Sequence, residues 1–136
     1  MTEQQLLPRA GRHLDCLIAE HALGWGNIDL DGCGIDYYGI SPNGYWRHCV
    51  PHYSTSIVGA WKVVDYLSAQ GWRVSISQSE KRKWRCSFYM MLPNKRNSEL
   101  SGGAWADTVE EAICHAALDA MDALLPATEE DKETEL

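Results

Sequence analysis

The sequence lacks a surplus of positive charge. Its 136 residues include 12 Lys and Arg against 19 Asp and Glu, which gives a formal net charge of -7. Proteins that bind nucleic acids through the phosphate backbone need an excess of basic side chains. The composition therefore argues against a general nucleic-acid-binding protein.

Long hydrophobic runs are also missing. No stretch approaches the roughly 18 consecutive apolar residues typical of a membrane span. Residues 1–5 lack the basic-then-apolar pattern of a secretory signal. We therefore expect a protein of the cytoplasm that has no membrane partner.

Closely paired cysteines are missing, and the number of cysteines is odd. The five cysteines are spread through predicted helix, loop and strand: Cys16, Cys33, Cys49, Cys86 and Cys114. This distribution suits reduced thiols better than a disulfide framework. We expect most of these side chains to be small core residues.

Apolar and aromatic residues are sufficient for one packed core. Hydrophobic residues make up 45% of the chain, with six Trp and six Tyr, and this length fits one domain. We predict a single α+β domain over residues 7–126. After Pro126, residues 127–136 carry five acids and one base, which predicts an acidic disordered tail.

Three helices are predicted from apolar spacing and from their ends. The first covers about residues 9–23. The second follows Tyr53, with Ser54 or Ser56 as its cap and an apolar face that consists of Ile57, Ala60, Trp61, Val64 and Leu67. The third starts at Thr108, which forms a capping box with Glu111.

Strands are predicted around a hairpin. Residues 72–79 alternate between apolar and polar side chains, and a second strand covers residues 84–92. A third strand is possible at residues 104–106. Since two strands alone do not make a stable sheet, we expect the hairpin to recruit short strands from residues 27–52. The predicted fold is α+β, a layered helix/sheet/helix sandwich with a mainly antiparallel sheet and about three helices.

Three blocks of sequence resemble the phage ABA sandwich domain family. They are RHLDCLIAE at residues 12–20, PHYSTSI at residues 51–57, and AICHAAL at residues 112–118. The blocks occur in the family's order. The resemblance implies layered helices and sheet and a phage or prophage origin, and it implies no particular reaction. Ser56 stands where the family often has an acidic residue.

Potential zinc ligands lie in the irregular segment, at Cys33, His48, Cys49 and His52. Their spacing lacks the paired ligands of a structural zinc site, which favours ordinary loop residues. No metal or other cofactor is therefore expected.

Two Cys–His neighbours raise the question of nucleophilic catalysis. They are His48–Cys49 and Cys114–His115, but adjacent side chains on a helix diverge by about 100°. We therefore disfavour an enzyme and predict no catalytic residues. If the protein is an enzyme, then His48, Cys49 and His52 are the candidates.

A ligand site is predicted at the start of the second helix, where Ser54, Thr55 and Ser56 offer hydroxyls beside free backbone amides. Such a helix end attracts anions, although simple capping also explains these residues. Six of the twelve basic residues lie near the hairpin turn and its exit. Lys81, Arg82 and Arg85 are the candidates to contact a phosphate, and a solvated hairpin tip is the simpler alternative.

Aromatic rings provide the other half of the predicted site. Tyr45, Trp46 and Tyr53 are candidates to stack on a base or to anchor a partner protein. Trp61, Trp72 and Trp84 are expected in the core.

Three functions follow from these patterns. The first is a non-catalytic phage or prophage protein that binds a small anionic ligand, in its specific form sequestering a nucleotide-derived host defence signal. The second is an interaction module that binds a host protein or a second copy of the chain. The third is a small nucleotide-processing enzyme.

Overall fold

The computed structural model describes residues 8–30, 36–42, 44, 47–91 and 99–135, with side chains at these positions except 30, 99 and 125–135. Of the predicted site residues, Tyr45 and Trp46 lie outside the described residues, as does Cys33.

The first helical element changes its winding. Helix α1 covers Arg12–Leu17 and continues as a π-helical segment, Ile18–Ala22. The Leu23 amide donates to the carbonyl of Ile18 at 3.1 Å. This hydrogen bond joins residues five positions apart, as is typical of a π-helix. Gly24 follows with a φ of 76° and ends the element near the predicted position.

Helix α2 covers Ile57–Ala69, and Ser56 is its N-cap, since the Ser56 hydroxyl accepts a hydrogen bond from the Gly59 amide at 3.4 Å. Its buried side is rotated from the predicted one. Val63 is fully buried, whereas Ile57 and Trp61 are 51% and 46% exposed. The prediction that Trp61 belongs to the core is therefore wrong.

The close approach of helix α2 to the residues that precede it explains this rotation. A Cβ atom at Gly59 would lie 2.4 Å from the carbonyl oxygen of His52. The helix therefore presents its smallest residue to the preceding turn, which directs Ile57 and Trp61 to solvent.

Helix α3 covers Val109–Glu135. The Thr108 hydroxyl accepts from the Glu111 amide at 3.2 Å, which confirms one half of the predicted capping box, while the Glu111 carboxylate lies 3.2 Å from Arg9. The helical backbone continues through Pro126, whereas the sequence predicts a disordered tail there.

The strands form two antiparallel sheets. The first sheet has the order β1-β2-β3 and the second has the order β4-β5-β6. The strand bounds are Gly26–Leu30 for β1, Tyr37–Ile40 for β2, His48–Cys49 for β3, Arg73–Gln78 for β4, Trp84–Met91 for β5 and Glu99–Ala106 for β6.

The expectation that the hairpin recruits strands from residues 27–52 is wrong. Those residues contribute to the first sheet, while β6 pairs with β5 over its whole length, from Glu99 opposite Met91 to Ala106 opposite Trp84. Strands that follow one another along the chain are the most frequent neighbours in a sheet. The structure confirms the predicted α+β sandwich, with two sheets rather than one.

Helices α2 and α3 lie on the same side of the second sheet. Alternation along β4 and β5 turns Val74, Ile76, Cys86 and Phe88 towards them, and α3 packs closely on β5 and β6. At Gly102 the sheet nearly touches α3, because a Cβ atom there would lie 2.3 Å from the Ala120 nitrogen. No helix in the described part of the chain is long and apolar enough to cross a membrane.

Candidate functional site

Asp15 is a fully buried carboxylate at the junction of two of the sequence blocks. Its Oδ1 accepts from the Ser54 amide at 2.8 Å and from the Ser54 hydroxyl at 2.6 Å. Its Oδ2 accepts from the Arg12 guanidinium at 2.8 Å. A buried charge costs several kcal/mol unless such partners surround it. Asp15 therefore joins α1 to the residues that precede α2.

Arg12 extends this cluster to the first sheet. Its guanidinium donates to Asp36 at 2.6 Å and to the backbone carbonyls of Val50 at 2.6 Å and Pro51 at 3.3 Å. Burial lowers the pKa of Arg12, but the hydrogen bonds that it donates to Asp36 and Asp15, together with their negative charge, outweigh burial, so that the pKa is raised overall. We call Arg12, Asp15, Asp36 and Ser54 the Asp15 cluster.

The Asp15 cluster reduces the number of hydrogen-bond donors that are available to a ligand at the predicted site at the start of α2. Both donors of Ser54 are bonded to Asp15, and its hydroxyl oxygen also accepts from the Gly11 amide at 2.8 Å. Tyr53 is 2% exposed, and burial raises the pKa of its phenol. Thr55 is exposed and Ser56 is half-buried. Ligand binding at this helix start stays a prediction, with Thr55 as its accessible side chain.

Cys49 is exposed but is not set up as a nucleophile. Its thiol lies 3.2 Å from Asp36 Oδ2 and 3.7 Å from an Arg12 nitrogen. Desolvation and the Asp36 carboxylate raise the pKa of Cys49 despite the opposing effect of Arg12. The reactive form of cysteine is the thiolate, so this setting works against the chemistry that the enzyme hypothesis requires.

The side chains of the second Cys–His pair, Cys114 and His115, lie in different surroundings. Cys114 is fully buried, and burial raises its pKa. The His115 Nε2 atom lies 2.8 Å from the Pro8 carbonyl oxygen and 3.9 Å from Glu111 Oε2. The two side chains therefore serve different surroundings, as the helical geometry predicts.

The metal hypothesis rests on four residues, of which Cys33 is not described. His52 Nδ1 lies 4.0 Å from Asp15 Oδ2, while Cys49 contacts Asp36. Among the residues that the structure describes, no three His, Cys, Asp or Glu side chains are grouped closely enough to hold a metal ion.

The hairpin cations lie on the second sheet. Lys81 and Arg82 are exposed in the β4–β5 turn, and Arg85 is half-buried in β5. The Arg85 guanidinium lies 5.6 Å from the centre of the Trp105 ring. In the described part of the chain, no hydrogen bond or ion pair joins these three cations to Ser54, Thr55 or Ser56, so the two halves of the predicted site are not seen in contact.

On the side of the second sheet that faces away from the helices, Arg85 is the one predicted site residue among those described. We call this side the outer face. We use this name for its nine central residues: Arg73, Ser75, Ser77, Arg85, Ser87, Tyr89, Ser101, Gly103 and Trp105; the next pair on the same side is Met91 opposite Glu99. Trp105 is 52% exposed. The polar half of the alternation along β4 indicates part of this face, but the strand that carries Trp105 is too weakly patterned to complete it.

The comparisons with known proteins bear on the whole fold. The family model of the phage ABA sandwich domain matches residues 16–118, a span that begins in α1, ends in α3 and includes both sheets. Searches of curated proteins and of solved structures each found no match. Because the family model matches more than half of the sequence, this chain belongs to the phage ABA sandwich domain family.

Proposed function

We propose that this protein is a non-catalytic phage or prophage binding protein that sequesters a small anionic, nucleotide-like ligand, in its specific form a nucleotide-derived host defence signal. The observation that carries the proposal is the contact between Arg85 and Trp105 on an open sheet face. A guanidinium beside an exposed indole offers both a phosphate ligand and a stacking surface.

The charge distribution supports an anionic ligand. The whole chain carries -7, yet the nine residues of the outer face include two arginines and no acid, and Glu99 occupies the next position along β6 on the same side. Lys81 and Arg82 extend this cationic region into the adjoining turn. Fixed positive groups attract a small anion, while the negative charge elsewhere disfavours a long polyanion.

Isothermal titration calorimetry with cyclic dinucleotides and ADP-ribose derivatives tests this function. We expect saturable binding that weakens with salt, with unchanged ligand recovered after incubation. Adenosine, which lacks phosphate, is the matched control and should bind far more weakly. Lack of binding by every phosphorylated compound at micromolar protein would contradict the proposal, and conversion of a ligand would support the enzyme alternative.

A second candidate function, an interaction module, is favoured by the exposed patch on α2. Ile57, Val58 and Trp61 are 51%, 68% and 46% exposed and occupy neighbouring positions on the helix surface. Exposed apolar clusters are typical of protein–protein contacts. The patch would bind a second copy of the chain or a host protein.

Multi-angle light scattering over a range of concentrations tests self-association. The interaction hypothesis predicts a dimer that Trp61→Lys converts to a monomer, whereas Lys62→Gln on the same exposed helix should leave the mass unchanged. A pull-down from host lysate with the same pair of variants tests a host partner. A wild-type monomer that captures no partner in a Trp61-dependent manner contradicts this function.

A further inference from the structure

We propose that the outer face of the second sheet forms a trough across all three strands and that this trough is the binding site for a nucleotide. This inference deepens the proposed function and rests on it. It moves the centre of the site from the start of α2 to the sheet, and it adds Arg73, Ser87, Tyr89 and Trp105 to the residues that contact the ligand.

The strand register arranges the outer face in three rows. Ser77, Arg85 and Trp105 form the first row, Ser75, Ser87 and Gly103 the second, and Arg73, Tyr89 and Ser101 the third. The middle row consists of two serines and a glycine, whereas each neighbouring row contains an arginine and an aromatic ring. Short side chains between long ones make a depression with a polar floor.

The dimensions of this trough suit a nucleotide. Residues on one face of a strand repeat every two positions, at about 3.4 Å per residue, so adjacent rows are roughly 7 Å apart and the outer rows roughly 14 Å apart. Side chains stand nearly perpendicular to a sheet. A base can therefore stack on Trp105 or Tyr89 while its phosphate lies over the serine floor.

Gly103 allows the first arginine to reach this floor. A Cβ atom at Gly103 would lie 2.8 Å from an Arg85 terminal nitrogen and 3.0 Å from the Ser87 hydroxyl. The Arg85 guanidinium thus lies close to Gly103 and over the Trp105 ring. Within the described residues it makes no ion pair or hydrogen bond, which leaves its donors available for a phosphate.

The charges of the trough select the class of ligand. Arg85 and Arg73 belong to the rows on either side of the middle row, with the Arg85 guanidinium reaching over Gly103, and the hydroxyls of Ser75 and Ser87 add donors between them. Two guanidiniums with hydroxyl donors match a phosphate or diphosphate, and the two rings match one or two bases. The ligand is therefore a mononucleotide or dinucleotide with its phosphates over the middle row.

Calorimetry on trough variants tests this assignment, with ADP-ribose and cyclic di-adenylate as probes. We expect Arg85→Gln and Trp105→Ala each to weaken binding by about tenfold or more, since stacking of one base on an aromatic side chain is worth about 1–3 kcal/mol. Gly103→Val should weaken it as well by filling the floor. Circular dichroism and thermal melting check that each variant is folded.

Two control variants distinguish a specific effect of the trough residues from the general loss of an exposed tryptophan or cation. Trp61→Ala removes a similarly exposed tryptophan, and Lys62→Gln removes an exposed cation, both on α2. Neither should change the affinity. Thr55→Ala probes the start of α2, and we expect it to have little effect.

The outcomes separate this inference from the proposed function. If a probe binds and the folded trough variants retain wild-type affinity, the trough is not the site, while the protein remains a nucleotide-binding protein. A loss of affinity confined to Thr55→Ala overturns the trough in favour of the helix start. If neither probe nor any other phosphorylated ligand binds, the proposed function itself fails.

Discussion

Asp15 is held in the interior by hydrogen-bond partners from two separate parts of the chain. Arg12 lies one turn before it on α1, and Ser54 lies 39 positions after it. Because the side chain has no exposed surface, each lost partner leaves an uncompensated charge or acceptor. The cluster is thus a structural element of the fold and a sensitive point for its stability.

Removal of this carboxylate should be strongly destabilising. We expect Asp15→Ala to lower the free energy of unfolding by about 3–5 kcal/mol, since it strips Arg12 and Ser54 of a buried partner. Ser54→Ala should cost about 1–3 kcal/mol because the carboxylate persists with one donor fewer. Urea denaturation followed by tryptophan fluorescence measures both. Ser68→Ala, at an exposed serine of α2, is the control, and an equal effect at Ser54 and Ser68 would contradict this role.

Asp36 gives the stability of the Asp15 cluster a defined pH dependence. A hydrogen bond from Cys49, the Tyr37 amide and the Arg12 guanidinium together lower its pKa from 3.8 to about 2. The carboxylate therefore binds its proton more readily in the unfolded chain. Its contribution to stability is complete above about pH 4 and disappears as the pH falls through about 2.

The variant Asp36→Asn tests this sign. We expect it to be less stable than wild type by about 1 kcal/mol near neutral pH, since the pair with Arg12 is partly exposed. The difference should shrink as the pH falls from 3.8 to 2. Asp65→Asn, at an exposed carboxylate of α2, controls for the lost negative charge. A difference between Asp36→Asn and wild type that stays constant down to pH 2 argues against the assignment.

Residue-level prediction from the sequence succeeded where the partner is local. The Thr108 cap involves a residue three positions away, and its geometry follows from the pattern alone. Ser54 has equally suitable chemistry for a cap, but its partner Asp15 is brought there by the fold. No local pattern distinguishes a serine bound to a distant carboxylate from one free to bind an anion.

At the scale of elements, two adjacent glycines of β6 have opposite roles. Gly102 faces α3, where an added Cβ atom would meet backbone atoms of Ala120 at 2.3 and 2.6 Å. Gly103 faces outwards, where the nearest atom is the flexible end of Arg85. The first glycine sets the distance between helix and sheet, and the second shapes the outer face.

The two glycines make a matched pair of stability variants. We expect Gly102→Ala to destabilise by about 1–3 kcal/mol or more, since backbone cannot give way as a side chain can. Gly103→Ala should change stability by less than about 0.5 kcal/mol, because only side-chain atoms, the end of Arg85 and the Ser87 hydroxyl, must shift. Thermal melting of both variants measures the contrast. Similar melting temperatures would show that α3 does not depend on the close approach at Gly102.

The elements themselves were predictable to different degrees. Alternation along β4 follows from its two environments, and the hairpin was correctly placed. The rotation of α2 could not be predicted, because an apolar pattern accepts a tryptophan whether its side chain is exposed or buried. The contact of Gly59 with the preceding turn determines which side of the helix is buried. The partner of the hairpin was missed since β6 contains Gly102 and Gly103, which weaken any strand pattern.

For the whole molecule, the described core is continuous. One hydrophobic cluster includes buried side chains from α1, α2, α3 and the second sheet, among them Leu14, Leu67, Phe88 and Ile113. Composition predicts that such a core exists, but it does not specify which layers share it. A continuous core further implies that these elements unfold together.

Two buried cysteines report on this cooperativity. Cys86 and Cys114 are fully buried, in β5 and α3. Burial raises the pKa of Cys86 to about 12 and also raises that of Cys114. We expect iodoacetamide at pH 8 to leave both unmodified in the native protein and to modify both at one urea midpoint, which should coincide with the midpoint from tryptophan fluorescence.

Peptide mass spectrometry assigns the modification to each cysteine, with exposed Cys49 as the control for reagent activity. Cys49 should react in the native state, slowly because of its own raised pKa. If the second sheet and α3 form one cooperative unit, Cys86 and Cys114 gain reactivity together, because neither can reach solvent until the sheet and helix separate. Distinct midpoints for the two thiols would instead show that the sheet and the helix unfold in separate steps.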